Sequence, residues 1–222
     1  MTALLRYQLS LLARSQRWLA PALLYAAFLA IGVQGGQPIL DSLGYGAAVL
    51  LPVAAWLVRV CVTNEPPAAR HCAAAATSPG RAHLAALLTA FGCTAALGVF
   101  GTGLVVAISK WSDTGDTVRI SPLSAAGAGL LAVLICALLG AAVGVLCNWP
   151  LLRGTGWGVT LTALGALLTL VTAGSPARSA VTGLVTGSHS GTVPLPLLPL
   201  LLATVIAGAA GAVACTLSSR RA

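Results

Sequence analysis

Long apolar runs, broken by short polar intervals, set the pattern of this chain from Trp18 onward. A helix that crosses the hydrocarbon of a bilayer needs ~20 mainly apolar residues. Six stretches meet that pattern: Trp18 to Gln34, Gly44 to Val62, Leu84 to Ser109, Leu123 to Cys147, Gly156 to Gly174 and Val193 to Leu217. Backbone polar groups in lipid must find partners within their own segment, so each stretch is predicted to be an α-helix. The expected fold is an all-α membrane protein of six transmembrane helices forming one domain. Residues 1–17 lie ahead of the bundle, 18–217 form it, and 218–222 make a polar tail.

Two polar intervals carry a helical pattern of their own. In "TALLRYQLSLLARSQR", Arg6, Ser10, Arg14 and Arg17 share one helical stripe and Leu5, Leu9 and Leu12 another. A helix lying flat in the membrane interface has this amphipathic form. In "VTNEPPAARHCAAAATSPGRAHLAALL", residues 62–88, Asn64 is placed to cap a helix whose first turn tolerates Pro66 and Pro67, and strong helix formers follow. "TSPG" interrupts that helix. Ser78 then caps a second helix, with Pro79 in its first position, that runs from Arg81 into the third span. The alternative to the short helix is a plain solvated connection between spans.

Composition supports the bilayer as solvent. Hydrophobic residues make up 58% of the 222, with 12 Lys or Arg and 4 Asp or Glu, and the mean hydropathy is +0.95. That is too little polar surface for a soluble domain. The net charge of +8 is distributed by side. With the N-terminus inside, Arg6, Arg14, Arg17, Arg59, Arg70, Arg81, Arg153, Arg220 and Arg221 are cytoplasmic, against Lys110, Arg119 and Arg178 outside. The positive-inside rule then places both termini in the cytoplasm. Asp41, Asp113 and Asp116 neutralise the outer loops. The arginines form no basic run with interleaved aromatics, so no nucleic-acid partner is expected. Trp18, Trp111, Trp149 and Trp157 fall at span ends, where indole prefers to sit, whereas Trp56 lies deeper and is expected to be ordinary packing. The first span is not expected to be a cleaved signal, because "AIGVQGGQPILD" is a poor cleavage site and another span follows at once.

Chemistry inside the membrane is sparse. No Asp, Glu, Lys or His occupies the middle of a predicted span, and Arg59 is close enough to the inner end to snorkel. That argues against ion-coupled carriers and intramembrane aspartyl proteases. HExxH and GxxxxGK[ST] are absent, and "GSHSG" has His189 where a GxSxG motif has serine. No catalytic residue, cofactor or bound nucleotide is expected on this chain. Of the six cysteines, Cys93, Cys136 and Cys215 lie in predicted spans, Cys61 and Cys147 near span ends, and Cys72 in a loop, which is no disulfide framework. His71, Cys72 and His83 have no usual metal-ligand spacing.

An amphipathic N-terminal helix, six spans with both ends inside, and a helical loop after the second span together resemble the permease subunit of ABC-2 type transporters. The local likeness is "TSPGRAHLAALL", similar to the stretch that opens the third span in that family, with Glu65 where an acidic residue usually ends the second. Where many members carry an acidic, Gly-Thr-containing segment, this chain has "PPAARHC". "SPARSAVTGLVTGSHSG" resembles the external helices before the last span. The resemblance implies a permease without enzymatic activity of its own, half of an exporter's pathway, coupled to a separate ATPase subunit and paired with a second, identical or homologous permease. It implies that residues 65–77 form the coupling helix, with Glu65, Arg70, His71 and Arg81 as the residues meeting or framing the ATPase. The preponderance of arginine over lysine points to a GC-rich bacterial genome and a bacterial plasma membrane. The competing expectation is a six-span regulator, immunity or scaffold protein without ATP coupling.

Overall fold

A computed structural model describes residues 1–148 and 155–220, apart from the side chains of Pro67, His71, residues 155–157 and Arg220. Arg153, Trp149 and Arg221 therefore lie outside the described residues, as do the side chains of Trp157 and Arg220. The described chain is helical: α1 (Thr2–Ser15), α2 (Leu19–Gly32), α3 (Ile39–Thr63), α4 (Pro67–Ala76), α5 (Pro79–Ile108), α6 (Pro122–Leu146), α7 (Thr155–Val171), α8 (Pro176–Ser190) and α9 (Leu197–Arg220).

Four of these, α3, α5, α6 and α9, are long and apolar enough to cross a membrane; a fifth span results if α7 and α8 are taken as one element bent by 48°. The first predicted span is shorter than its apolar run. Its helix, α2, has 14 residues, or about 21 Å at 1.5 Å per residue, against a hydrocarbon thickness of about 30 Å. The physical reason lies at its ends. The chain leaves α1 through Gln16 in the left-handed region at φ 53°, and past Gly32 the backbone turns extended at Val33. Gly36 follows at φ +90° in the turn before α3, a conformation that glycine adopts without steric cost.

Burial divides the spans into centre and periphery. In the most apolar stretch of α3 and of α6, 67% is buried, against 28% for α5 and 17% for α9, so α3 and α6 form the core and the other two face outward. Ala128, Ala132, Cys136, Gly140 and Gly144 recur every four residues on α6 and are buried. This small-residue stripe lets two backbones meet. A Cβ at Gly140 would collide with the Leu51 carbonyl oxygen, and one at Gly144 would stand 2.8 Å from that of Ala55. The Gly140/Gly144 seam is therefore where α3 and α6 lie closest.

Ala207 and Gly211, a pair of small residues four apart on α9, form no such seam within the chain, because a Cβ at Gly211 would meet nothing within 4 Å. Helix α9 buries Ala203, Ala210 and Ala214 instead. Its Leu198 and Val205 are exposed, as are Phe100 on α5 and Leu168 on α7, which is the surface a bilayer solvates. Trp56 belongs to this outer surface too, at 37% exposure, rather than to the packed interior.

At the end of the bundle where α3 begins, three connections are stitched together. Ile39 N–H donates to the Lys110 carbonyl at 3.1 Å, Lys110 N–H to that of Gln37 at 2.9 Å, and Thr114 N–H to that of Ser188 at 3.0 Å. Asp113 organises the turn between α5 and α6. Its carboxylate accepts from the Thr117 hydroxyl and amide, each at 2.6 Å, and from the Val118 amide at 3.1 Å. The Thr117 hydroxyl, then the Val118 amide, hold the Asp113 carboxyl below its usual range, because these bonds favour the ionised form.

Candidate functional site

The polar island of residues 62–88 lies at the opposite end of the bundle and is built by α1, α4 and the termini of α3 and α5. Helix α4 is short, 10 residues with Pro67 in its first turn. Its start differs from the sequence expectation. Asn64 does not cap it: that residue is helical at φ −74° and closes α3, and its side-chain amide donates to the Leu11 carbonyl of α1 at 3.3 Å. The next helix starts as its sequence predicts, the Ser78 hydroxyl accepting from the Arg81 amide at 3.3 Å with Pro79 following.

The four residues singled out in the sequence have distinct places. Glu65 is buried at 7% exposure, and one carboxylate oxygen accepts from the Gln8 side chain at 3.2 Å. Its other oxygen has no hydrogen-bond partner among the described residues. Arg70 is half-buried and turns back on the preceding helix, donating to the Val62 carbonyl at 2.6 Å. The terminal carbonyls of α3 lack intrahelical partners and carry the negative end of its dipole, so a guanidinium there satisfies both. Arg81 is exposed in the first turn of α5. His71 lies on α4, but its side chain is outside the described residues.

Glu65 and Arg70 thus fasten α4 inward, and Arg81 sits beyond its far end. Among its described side chains, those α4 turns to solvent are Ala68, Cys72, Ala75 and Ala76, all exposed and spaced i, i+4, i+7, i+8.

Three residues without an assigned role in the sequence complete the site. Gln8 is buried at 3% exposure beside Glu65. Tyr7 lies next to the same carboxylate; partial burial, and then the charge of Glu65, raise its phenol above the usual range. Asn64 is the third, through its bond to Leu11. Gln8 alone had a visible signal: it is a polar residue on the leucine stripe of α1, three after Leu5 and four before Leu12. The pairing itself spans 57 residues and has no local signature.

The other end of the bundle has a cavity of about 740 Å³ lined by Lys110, Trp111, Asp116 and Arg119 among others. The Lys110 ammonium and Asp116 carboxylate pair at 2.6 Å, both more than half exposed, which keeps the Asp116 carboxyl low but adds little stability.

Fold and site together define a multi-pass helical membrane protein with a short, alanine-rich helix fastened at one end of the bundle. No protein-family model matches the chain, and neither does any curated protein or solved structure.

Proposed function

We propose that the chain is the permease subunit of an ABC exporter in a bacterial plasma membrane, with six spans, both termini cytoplasmic, and α4 as the helix that docks on a separate ATPase. The observation that carries this reading is the fastening of the start of α4 to α1 and α3, with its far end running directly into the capped start of α5. Glu65 holds the α3 end of the connection to α1, Arg70 holds α4 to α3, and Ser78 starts α5 directly behind it. A force on the exposed face of α4 is then transmitted to α1, α3 and α5 rather than absorbed by a loose loop. A plain connection between spans needs no such clamp.

The close α3–α6 packing leaves the path between copies rather than within one, so a second permease, identical or homologous, supplies the other half. The uncharged mid-membrane surface suits an amphipathic or apolar cargo. In this reading α2 and α7 are the two short spans, accommodated by local thinning of the bilayer and by flanking residues such as Trp18.

Topology has a built-in probe. Cys72 is the one fully exposed cysteine of the six. With the chain expressed without its ATPase, a membrane-impermeant maleimide should label Cys72 in inside-out vesicles and spare it in intact cells, whereas His189→Cys, placed in a Cys72→Ala background, should show the reverse. Labelling of Cys72 from outside intact cells would invert the topology.

The functional reading is tested by Ala74→Pro. Proline inside α4 costs ~3 kcal/mol of helix stability and should misalign the whole docking face while leaving membrane insertion untouched. The wild type should co-purify with an ATPase expressed from a neighbouring reading frame and stimulate its hydrolysis, and Ala74→Pro should lose both. Unchanged co-purification and rate would refute the docking role and favour an uncoupled membrane protein.

A further inference from the structure

A second feature at the α4 end of the bundle is an apolar cleft of about 320 Å³ under α1, lined by Leu9, Ala13 and Trp18 on one side and by Leu57 of α3 and Ala96 and Leu97 of α5 on the other. That volume lies at the lower end of small-molecule sites, ~300–1,000 Å³. Leu9 is 48% exposed and Trp18 38%, so the cleft opens sideways, along the outer surface of the bundle, and not into the core.

Three arginines neighbour its lining residues along the chain: Arg6 stands one helical turn before Leu9, Arg14 directly follows Ala13, and Arg17 directly precedes Trp18. All three are exposed, and none makes a hydrogen bond or ion pair with a described residue. Glu65 is the one acidic side chain at this end among the described residues, and it is buried against Gln8. An apolar slot whose covering helix and turn carry three exposed, unpaired guanidinium groups is complementary to an acyl chain attached to a phosphate with no neutralising cation of its own.

We propose that an anionic phospholipid occupies this corner, one acyl chain in the cleft beneath α1 and its phosphate between Arg6 and Arg17. The lipid fills the gap between α1 and the spans and fixes the height of α1 in the interface, which bears on α4 through the Gln8–Glu65 bond. The proposal requires that α1 lie in the membrane interface but not that the chain be an ABC permease, so the two readings fail separately.

The test uses the full chain in phosphatidylcholine nanodiscs, with Trp18 retained and the other tryptophans replaced by phenylalanine. A minor lipid fraction with dibrominated chains is carried either on phosphatidylglycerol or on phosphatidylcholine, and quenching of Trp18 fluorescence is read. Brominated phosphatidylglycerol should quench more strongly at equal mole fraction. That preference should weaken by about fivefold for each of Arg6→Gln and Arg17→Gln, the effect of one surface arginine on an anionic lipid. Ala96→Phe, at an exposed position where folding is not at stake, should fill the cleft and reduce quenching in both arms. Equal quenching by the two lipids would reduce α1 to an ordinary interfacial helix and overturn the site. No quenching by either would take α1 off the membrane and overturn the proposal at its premise.

Discussion

Gly140→Ala should strip this protein of most of its stability, while Gly208→Ala, the same change on α9, leaves it intact or slightly improves it. At Gly140 the new methyl carbon would run into the Leu51 carbonyl oxygen and stand 2.7 Å from the Ala54 Cβ. Carbonyl and Cβ both belong to the α3 backbone or are fixed to it, so no rotamer change relieves the clash and the two central helices must separate. Overpacking a tight core commonly costs about 1–3 kcal/mol and more when backbone has to move. The upper end is expected here, because α3 and α6 supply most of the buried surface. At Gly208 an added Cβ meets nothing within 4 Å, and alanine gains up to ~1 kcal/mol over glycine in a helix interior. Thermal unfolding in detergent, followed by size-exclusion of the soluble fraction, reads the difference. Equal transition temperatures for the two variants would mean that the α3–α6 crossing is not the structural centre.

The second large effect is expected at the α1 clamp. Gln8→Leu removes the hydrogen bond that the buried Glu65 carboxylate accepts from α1, leaving a charge in a pocket where its other oxygen already lacks a partner. An unsatisfied buried polar group costs about 1–3 kcal/mol, and a charged one more. Release of α1 is the cheapest way for the protein to rehydrate Glu65. Trypsin should then cut at Arg14 and Arg17, and amide exchange over residues 2–15 should accelerate, with the spans unaffected. The double variant Gln8→Leu/Glu65→Leu should restore protection, since replacing both partners by apolar groups is close to neutral. If Gln8→Leu is as protected as the wild type, the Asn64 bond to Leu11 and the apolar stripe hold α1 by themselves. If the double variant remains as labile as the single, the loss came from packing and not from the orphaned carboxylate.

Much of the element order is legible in the sequence, for particular reasons. The runs ending near Val62, Ser109, Cys147 and Leu217 appear as α3, α5, α6 and α9 because apolar length is a one-dimensional property. The N-terminal helix is visible in its two stripes, and the start of α5 in Ser78-Pro79, because caps and amphipathicity act over one or two turns. Asn64 shows where local reasoning fails. A capping residue and a helix-closing residue look alike in sequence, and the choice went to α3 because Asn64 found the Leu11 carbonyl, which lies 53 residues away. Arg70 reads as a docking charge in a string of alanines, yet the unpaired carbonyls at the end of α3 draw it inward.

By itself, then, the sequence determined that the chain belongs in a bilayer, that its apolar runs are helical, and roughly where most of the helices begin. Solvent preference and hydrogen bonding within a helix are settled residue by residue. Only the tertiary structure decided which helices are central, that Gly140 and Gly144 carry the crossing while Gly211 carries none, and that Gln8 and Glu65 share a buried bond. In a chain this rich in alanine, glycine and leucine, many faces of many helices are equally apolar. The choice among them falls to shape, to which backbones can approach closely and which polar groups would otherwise be stranded, and those quantities exist only between segments.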